Sequence, residues 1–258
     1  MTDDSTPVLF SRQGEIAIVT LNRPEQRNAM DASTTKALRA VFDEIEGDTN
    51  LRVTILAANG PVFCAGMDLK AFLSGEADEI LFGPGRFGGF VSRQRSKPVI
   101  ACVQGAALAG GFELVLACDL VVSAETAVFG LPEARLGLVA GAGGAFRVGQ
   151  RLPPAIANEI VLLGGRFDAR QALAWGLVNR VTAGDPMPLA MEMASVVAAN
   201  APLSIAAGLE LTAAGSGAAQ AALWAANDHH LRRLIASEDA REGAEAFAQK
   251  RSPKWSGR

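Results

Sequence analysis

The chain has 258 residues, 49% hydrophobic and 20% charged, which is enough to bury one large core and too apolar to remain disordered. A formal net charge of −3 offers no basic excess, which excludes nucleic-acid binding as the main activity and disfavours an anionic membrane surface. Cys64, Cys102 and Cys118 form no CxxC pair or Cys/His cluster, so neither a disulfide framework nor a metal site is expected. The start, MTDDSTPVLFSRQGE, lacks the cationic and apolar stretches of an export signal, and a cytoplasmic protein is expected.

From Glu15 to Leu21 the β-branched, alternating EIAIVTL predicts a strand, and a polar-faced helix should follow over Ala32 to Glu46 with Asp31 as its N-cap. Arg52 to Ala58 is a continuous apolar run stopped by Asn59-Gly60-Pro61, as expected of a fully buried strand. Ser74 to Arg93 carries glycines and mixed charge without periodicity and predicts a mobile surface loop. Inside it Gly83 to Gly88 spells G-x-G-x-x-G, but with no buried strand before it and no helix after it, a dinucleotide fingerprint is not supported.

Pro98 to Val122 is weakly charged, yet Gln104, Glu113 and Asp119 interrupt it, so it reads as buried core and not as a membrane span. Within it Val99 to Val103 predicts a strand, Gly105 to Gly111 a loop of small residues, Phe112 to Cys118 a helix and Asp119 to Ser123 a second strand, which is α/β grammar. Phe167 to Arg180 has helical spacing that Gly176 should end, with a short strand after it. From Pro188 to about Gln249 the alanine-rich chain predicts helices packed on the α/β core.

The candidates for chemistry are few. There is no tyrosine, and His229 and His230 sit side by side in a charged helix, as solvated histidines do. Glu113 stands among small and apolar neighbours that would raise its proton affinity. Glu133 follows a proline and precedes a glycine-rich turn; its alternative is an ordinary ion pair with Arg135 or Arg147. Two segments can offer free backbone N–H groups to a developing negative charge: Phe63 to Lys70, where Gly66 permits a sharp turn, and Ala109-Gly110-Gly111 at the start of a helix. The alternative for both is a tight turn packing strand against helix.

LNRPEQRNAMD, FCAGMDLK, GAALAGGFELVLACDLVV, FGLPEARLGLVAGAGGAFRV and FDARQALAWGLVNRV, in that order over nearly the whole chain, resemble the successive motifs of the crotonase, or enoyl-CoA hydratase/isomerase, family. The resemblance implies an α/β fold, a crotonase-like spiral of ββα units over residues 1–196, with a C-terminal helical trimerisation region over 197–258 and trimers often paired as hexamers. By position, Met67 and Gly110 N–H would form an oxyanion hole for an acyl-CoA thioester, Glu113 and Glu133 would be the catalytic pair, and Gly141 N–H would help position water. Arg27, Ala29, Ala65, Asp68, Leu69 and Lys70 would follow the coenzyme A path, with Phe247 and Lys250 at its adenosine end, in some relatives from a neighbouring subunit. No metal and no cofactor beyond the coenzyme A of the substrate is implied.

Both glutamates favour hydration of a 2-enoyl-CoA over isomerisation, thioester hydrolysis or non-catalytic acyl-CoA binding. LPPAIANEIVLLGGRFDARQALAWGLVNRV is particularly similar to the carnitinyl-CoA dehydratase branch, the named alternative. Ala109 replaces a common glycine, and Val139-Ala140-Gly141 replaces a common Ile-Pro-Gly, so the turn beside the water is expected to differ from the family pattern in rigidity.

Overall fold

The computed structural model describes residues 6–214 and 220–254. The helical tail expected from Pro188 onward is therefore seen on both sides of 215–219, which lie outside the described residues along with 1–5 and 255–258. Strands β1 (Val8–Gln13) and β2 (Ile16–Leu21) form an antiparallel hairpin about Gly14, whose φ of 59° suits the turn. A 3-10 turn, Pro24–Gln26, leads into α1 (Ala32–Gly47). As expected, the Asp31 side chain caps this helix, accepting from Thr34 N–H at 2.7 Å.

Next come β3 (Val53–Ala58), β4 (Val62–Cys64), α2 (Leu69–Leu73), α3 (Ala77–Phe82) and a 3-10 turn, Phe87–Gly89. They are followed by β5 (Val99–Val103), β6 (Ala106–Leu108), α4 (Gly110–Ala117), β7 (Leu120–Ala124), β8 (Val128–Gly130) and a 3-10 turn, Pro132–Leu136. The chain continues through α5 (Gly144–Arg151), α6 (Pro154–Leu163), β9 (Arg166–Asp168), α7 (Ala169–Ala174) and β10 (Arg180–Thr182). Four helices follow: α8 (Met187–Ala198), α9 (Pro202–Ala214), α10 (Gln220–Ile235) and α11 (Glu238–Ala248).

The strands form a six-stranded sheet, β1-β2-β3-β5-β7-β10, and a four-stranded sheet, β4-β6-β8-β9. Three times in succession the chain runs a strand in the large sheet and then a short strand in the small one: β3 then β4, β5 then β6, β7 then β8. Within each sheet these strands are parallel neighbours, which makes the path a spiral. The middle of the large sheet is buried on both faces, which accounts for the unbroken apolar runs of β3 and β5. On one face Val53, Ile55, Ile100 and Val122 pack against α8, whose Ala190, Ala194 and Ala198 fall on one stripe and let the helix approach closely. The other face joins the main core, where the Phe112, Phe129 and Phe167 rings cluster at 5.5–5.8 Å.

Three expectations need correction. Ser74 to Arg93 is not a surface loop: it holds α3, and Phe87 to Val91 are buried, the Phe90 ring 4.6 Å from that of Phe42. Its glycines serve close packing; a Cβ at Gly89, whose φ is 61°, would lie 2.5 Å from Arg39 Cβ. The supposed loop 105–111 contains β6, since its small side chains can lie between the two parallel neighbours β4 and β8. The helix expected from Phe167 to a stop at Gly176 begins only at Ala169, because Phe167 pairs with Phe129 in the small sheet and Asp168 starts α7 with a capping box to Gln171. Strand β1, too polar for its alternation to stand out, was not expected.

Among the described residues no single helix is long and apolar enough to cross a membrane, although α8 and α9 pass such a test together as a pair bent by 107°.

Candidate active site

The small sheet determines where the site forms. Strands β4, β6 and β8 lie side by side and parallel, so the segments leaving their C-terminal ends are neighbours: Ala65 to Asp68, Ala109 to Gly111, and Leu131 to Glu133. Ala109 N–H donates to Gly130 O at 2.9 Å. Gly66, at φ 100°, passes so near that a Cβ there would lie 2.9 Å from Ala109 Cβ and 3.2 Å from Gly110 N.

Two backbone donors are left over at this crossing. Met30 forms a parallel bridge with Met67, receiving Asp68 N–H on its carbonyl at 2.9 Å and donating to Gly66 O at 2.8 Å. Residues alternate direction along such a pair, so Met67 N–H faces away from Met30. Gly110 opens α4, where an N–H has no partner within the helix. Neither N–H donates to any group among the described residues. The Phe87 ring closes over Gly110, and a Cβ on Gly110 would meet its Cζ at 2.3 Å.

Glu113 lies in the first turn of α4 and is 3% exposed; Glu133 lies in the 3-10 turn after β8 and is 7% exposed. Gly144 N–H, at the start of α5, donates to Glu113 Oε1 at 2.7 Å. Burial pushes the Glu113 carboxyl up to about 7, while the Gly144 amide, the Arg147 charge and the Ala142 amide pull the other way. Glu133 is raised well above the ordinary carboxylate value, first by burial and then by the neighbouring Glu113 charge. Its Oε2 is buried without a hydrogen-bond partner. The ion pair considered for it is not formed: Arg135 donates to Leu163 O at 2.9 and 3.0 Å, and Arg147 to Ala142 O and Val91 O.

The other sequence candidates divide into two groups. Arg27 is exposed at φ 54°, Ala29 is buried, and Ala65 N–H donates to Arg27 O at 3.0 Å, so the 27–29 turn lies against the oxyanion segment. Buried Asn28 ties the same turn to Asn59 O and Val62 O at 2.9 and 2.8 Å. Asp68 caps α2, whose first residues are Leu69 and the exposed Lys70, and pairs with Arg23 at 3.5 Å. Phe247 and Lys250, by contrast, stand exposed at the end of α11, a helix that packs on the turn carrying Glu133. Gly141 lies under α10: its carbonyl accepts from Asn227 Nδ2 at 2.7 Å, and Leu231 occupies the space where a Cβ would go.

Sequence reasoning missed Gly144, Asn28 and Phe87. For Gly144 a signal existed in the glycine-rich turn that follows Glu133, but which amide faces Glu113 depends on how α5 docks on α4. Exposed His229 and His230 lie on α10.

Residues 11–258 match the family model described as enoyl-CoA hydratase/isomerase. The chain is 45% identical over 256 residues to a carnitinyl-CoA dehydratase of Citrobacter koseri, covering 96% of this chain and 98% of that one. Similar solved structures include a carnitinyl-CoA hydratase from Mycobacterium avium, at TM-score 0.92 and 40% identity over 98% of this chain and 99% of that one. An enoyl-CoA hydratase from Mycobacterium tuberculosis H37Rv superposes at TM-score 0.78 with 41% identity, over 98% of this chain and all of its own (100%). The spiral of parallel strands, the two unpartnered amides and these matches agree: the chain belongs to the enoyl-CoA hydratase/isomerase family.

Proposed function

We propose that this chain is a hydro-lyase that adds water reversibly across the C2–C3 double bond of a 2-enoyl-CoA thioester. The observation that carries the proposal is the pairing of Glu113 and Glu133, two buried carboxyls of which one receives Gly144 N–H and the other has an oxygen without a partner, beside two N–H groups with no partner. Glu133, whose Oε2 has no hydrogen-bond partner, is the protonated member; Glu113, held by Gly144 N–H and facing Arg147, is the ionised one. In the hydration direction Glu113 takes a proton from water as its oxygen bonds to C3. The displaced electron pair moves onto the thioester oxygen, where Met67 and Gly110 N–H stabilise the enolate. Glu133 then delivers its proton to C2. Dehydration is the reverse. Gly141 N–H is read as a further contact to the water.

Coenzyme A would run along the 27–29 turn and the segment from Ala65 to Lys70. The exposure of Phe247 and Lys250 supports their use by a neighbouring subunit in a homotrimer or hexamer. Leu203 at 85% exposure, Leu211 at 71% and Val196 at 62% leave apolar surface on α8 and α9 for such contacts. We read the protein as cytoplasmic and without a cofactor beyond its substrate's coenzyme A. Similarity to proteins named carnitinyl-CoA dehydratase favours a second substrate reading, with carnitinyl-CoA as the compound dehydrated.

The test is hydration of crotonyl-CoA and dehydration of carnitinyl-CoA, followed by the absorbance of the conjugated thioester. Glu113→Gln and Glu133→Gln should each lower kcat/KM by about 10²–10⁴. Parental rates in both variants would discard the hydro-lyase reading.

A further inference from the structure

The turn that contacts Glu113 is itself braced by a side chain from the same helix. Three residues beyond Gly144, Arg147 folds back along the turn: Nη1 donates to Ala142 O at 3.1 Å and Nη2 to Val91 O. Its guanidinium lies 5.1 Å from the Phe146 ring centroid and 5.5 Å from that of Trp224. Room for this comes from Gly143, at φ 96°, where a Cβ would sit 2.2 Å from Nη1. One side chain thus joins three parts: the turn that supplies the Glu113 amide contact, the segment that places Phe87 over Gly110, and α10 above them.

We propose that Arg147 is a positioning residue for the hydration reaction, its guanidinium holding the 142–144 turn against Glu113 and its charge keeping Glu113 the ionised member of the pair. The inference rests on the hydro-lyase reading. The charged groups around Glu113 agree with it. Glu133, from the 3-10 turn, opposes ionisation of the pair, and Arg147, from α5, is the cation that favours the Glu113 anion. On α10, Asp228 is engaged by Arg86 at 2.7 Å, with the Arg86 guanidinium 4.3 Å from the Trp224 ring centroid. Arg95, Arg151 and Cys118 act on Arg147, and Asp119 pairs with Arg95 at 2.9 Å.

Removing the Arg147 charge should make Glu113 harder to ionise, so less of the base is present at a given pH. The experiment is the pH profile of kcat/KM for crotonyl-CoA hydration by the full chain, Arg147→Met and Arg147→Lys. In Arg147→Met the acid limb should move up by about one pH unit, which is about tenfold in rate below the limb. In Arg147→Lys, with the charge kept and the planar fork lost, the limb should return to within about a third of a unit while the plateau stays reduced. An unmoved limb in Arg147→Met, or equal shifts in both variants, overturns the proposal. Should Arg147→Met fail to fold, Arg147→Gln, which keeps amide donors without the charge, is judged by the same criterion. Parental rates in both Glu113→Gln and Glu133→Gln would instead sink the hydro-lyase reading, so the two failures are separable.

Discussion

Glu113 and Glu133 are the same residue type, both buried, and their surroundings differ in a way that suits them to the opposite tasks proposed for them. Glu113 stands in the first turn of α4, where the helix dipole favours an anion, and it receives Gly144 N–H with Arg147 nearby. Glu133 stands on a short 3-10 turn, has a carboxyl oxygen with no partner, and faces the Glu113 charge. Burial raises both; what separates them is which one receives donors. A donor-poor carboxyl keeps its proton and a donor-rich one gives it up, so one site holds an acid and a base at the same pH.

The sharpest way to break this comparison is to follow each proton alone. Exchange of the C2 hydrogen of a saturated acyl-CoA in deuterated water, read by mass spectrometry, needs the C2 acid-base group and no attack at C3. Glu133→Gln should lose this exchange by about 10²-fold or more, and Glu113→Gln should lose much less. Equal losses would mean that the two tasks are not divided as assigned.

The oxyanion side comes next. Gly110→Ala should lower kcat by about 10²-fold, because the new methyl cannot coexist with Phe87 and the N–H must move. Gly110→Ala combined with Phe87→Leu should recover part of the loss. A double variant no better than the single one would show that the ring is not what holds the amide in place.

A stability measurement tests the burial that both carboxyls share. Their native proton affinities lie above the ordinary value of 4.5, so over the interval above it the folded state binds more protons than the unfolded one, and stability falls as pH rises. Glu133→Gln should therefore melt higher than the parent by a few degrees at about pH 8 and show little difference at about pH 4. The opposite trend would contradict a raised value for Glu133. The smallest effect is expected far from the pair: Asp31→Ala removes the α1 cap and should cost about 1 kcal/mol in a thermal melt.

What was legible in the sequence follows the range of the interactions. Alternation and unbroken apolar runs located β2, β3, β5 and β7, and a capping aspartate located α1, because these signals come from neighbouring residues and from burial of whole faces. The short strands β4, β6 and β8 were not legible, since three residues carry no period, and in β6 the small side chains resemble a loop. The segment from Ser74 to Arg93 misled for a similar reason. Its glycines suggested exposure, while in the fold they allow close contact with α1 and α4.

By itself the sequence determined which groups are available: two glutamates among apolar neighbours, two glycine turns able to free an N–H, and the order of motifs that marks the family. Tertiary structure alone decided which of them meet. Met67, Gly110 and Glu133 are far apart along the chain, and they converge because β4, β6 and β8 are adjacent and parallel. Gly144 N–H donates to Glu113, and Arg147 braces its turn, because α5 docks on α4 and α10 packs on the turn before α5. Proton affinity depends on distance through space and on exclusion of water, and neither is written in the spacing of residues along a chain.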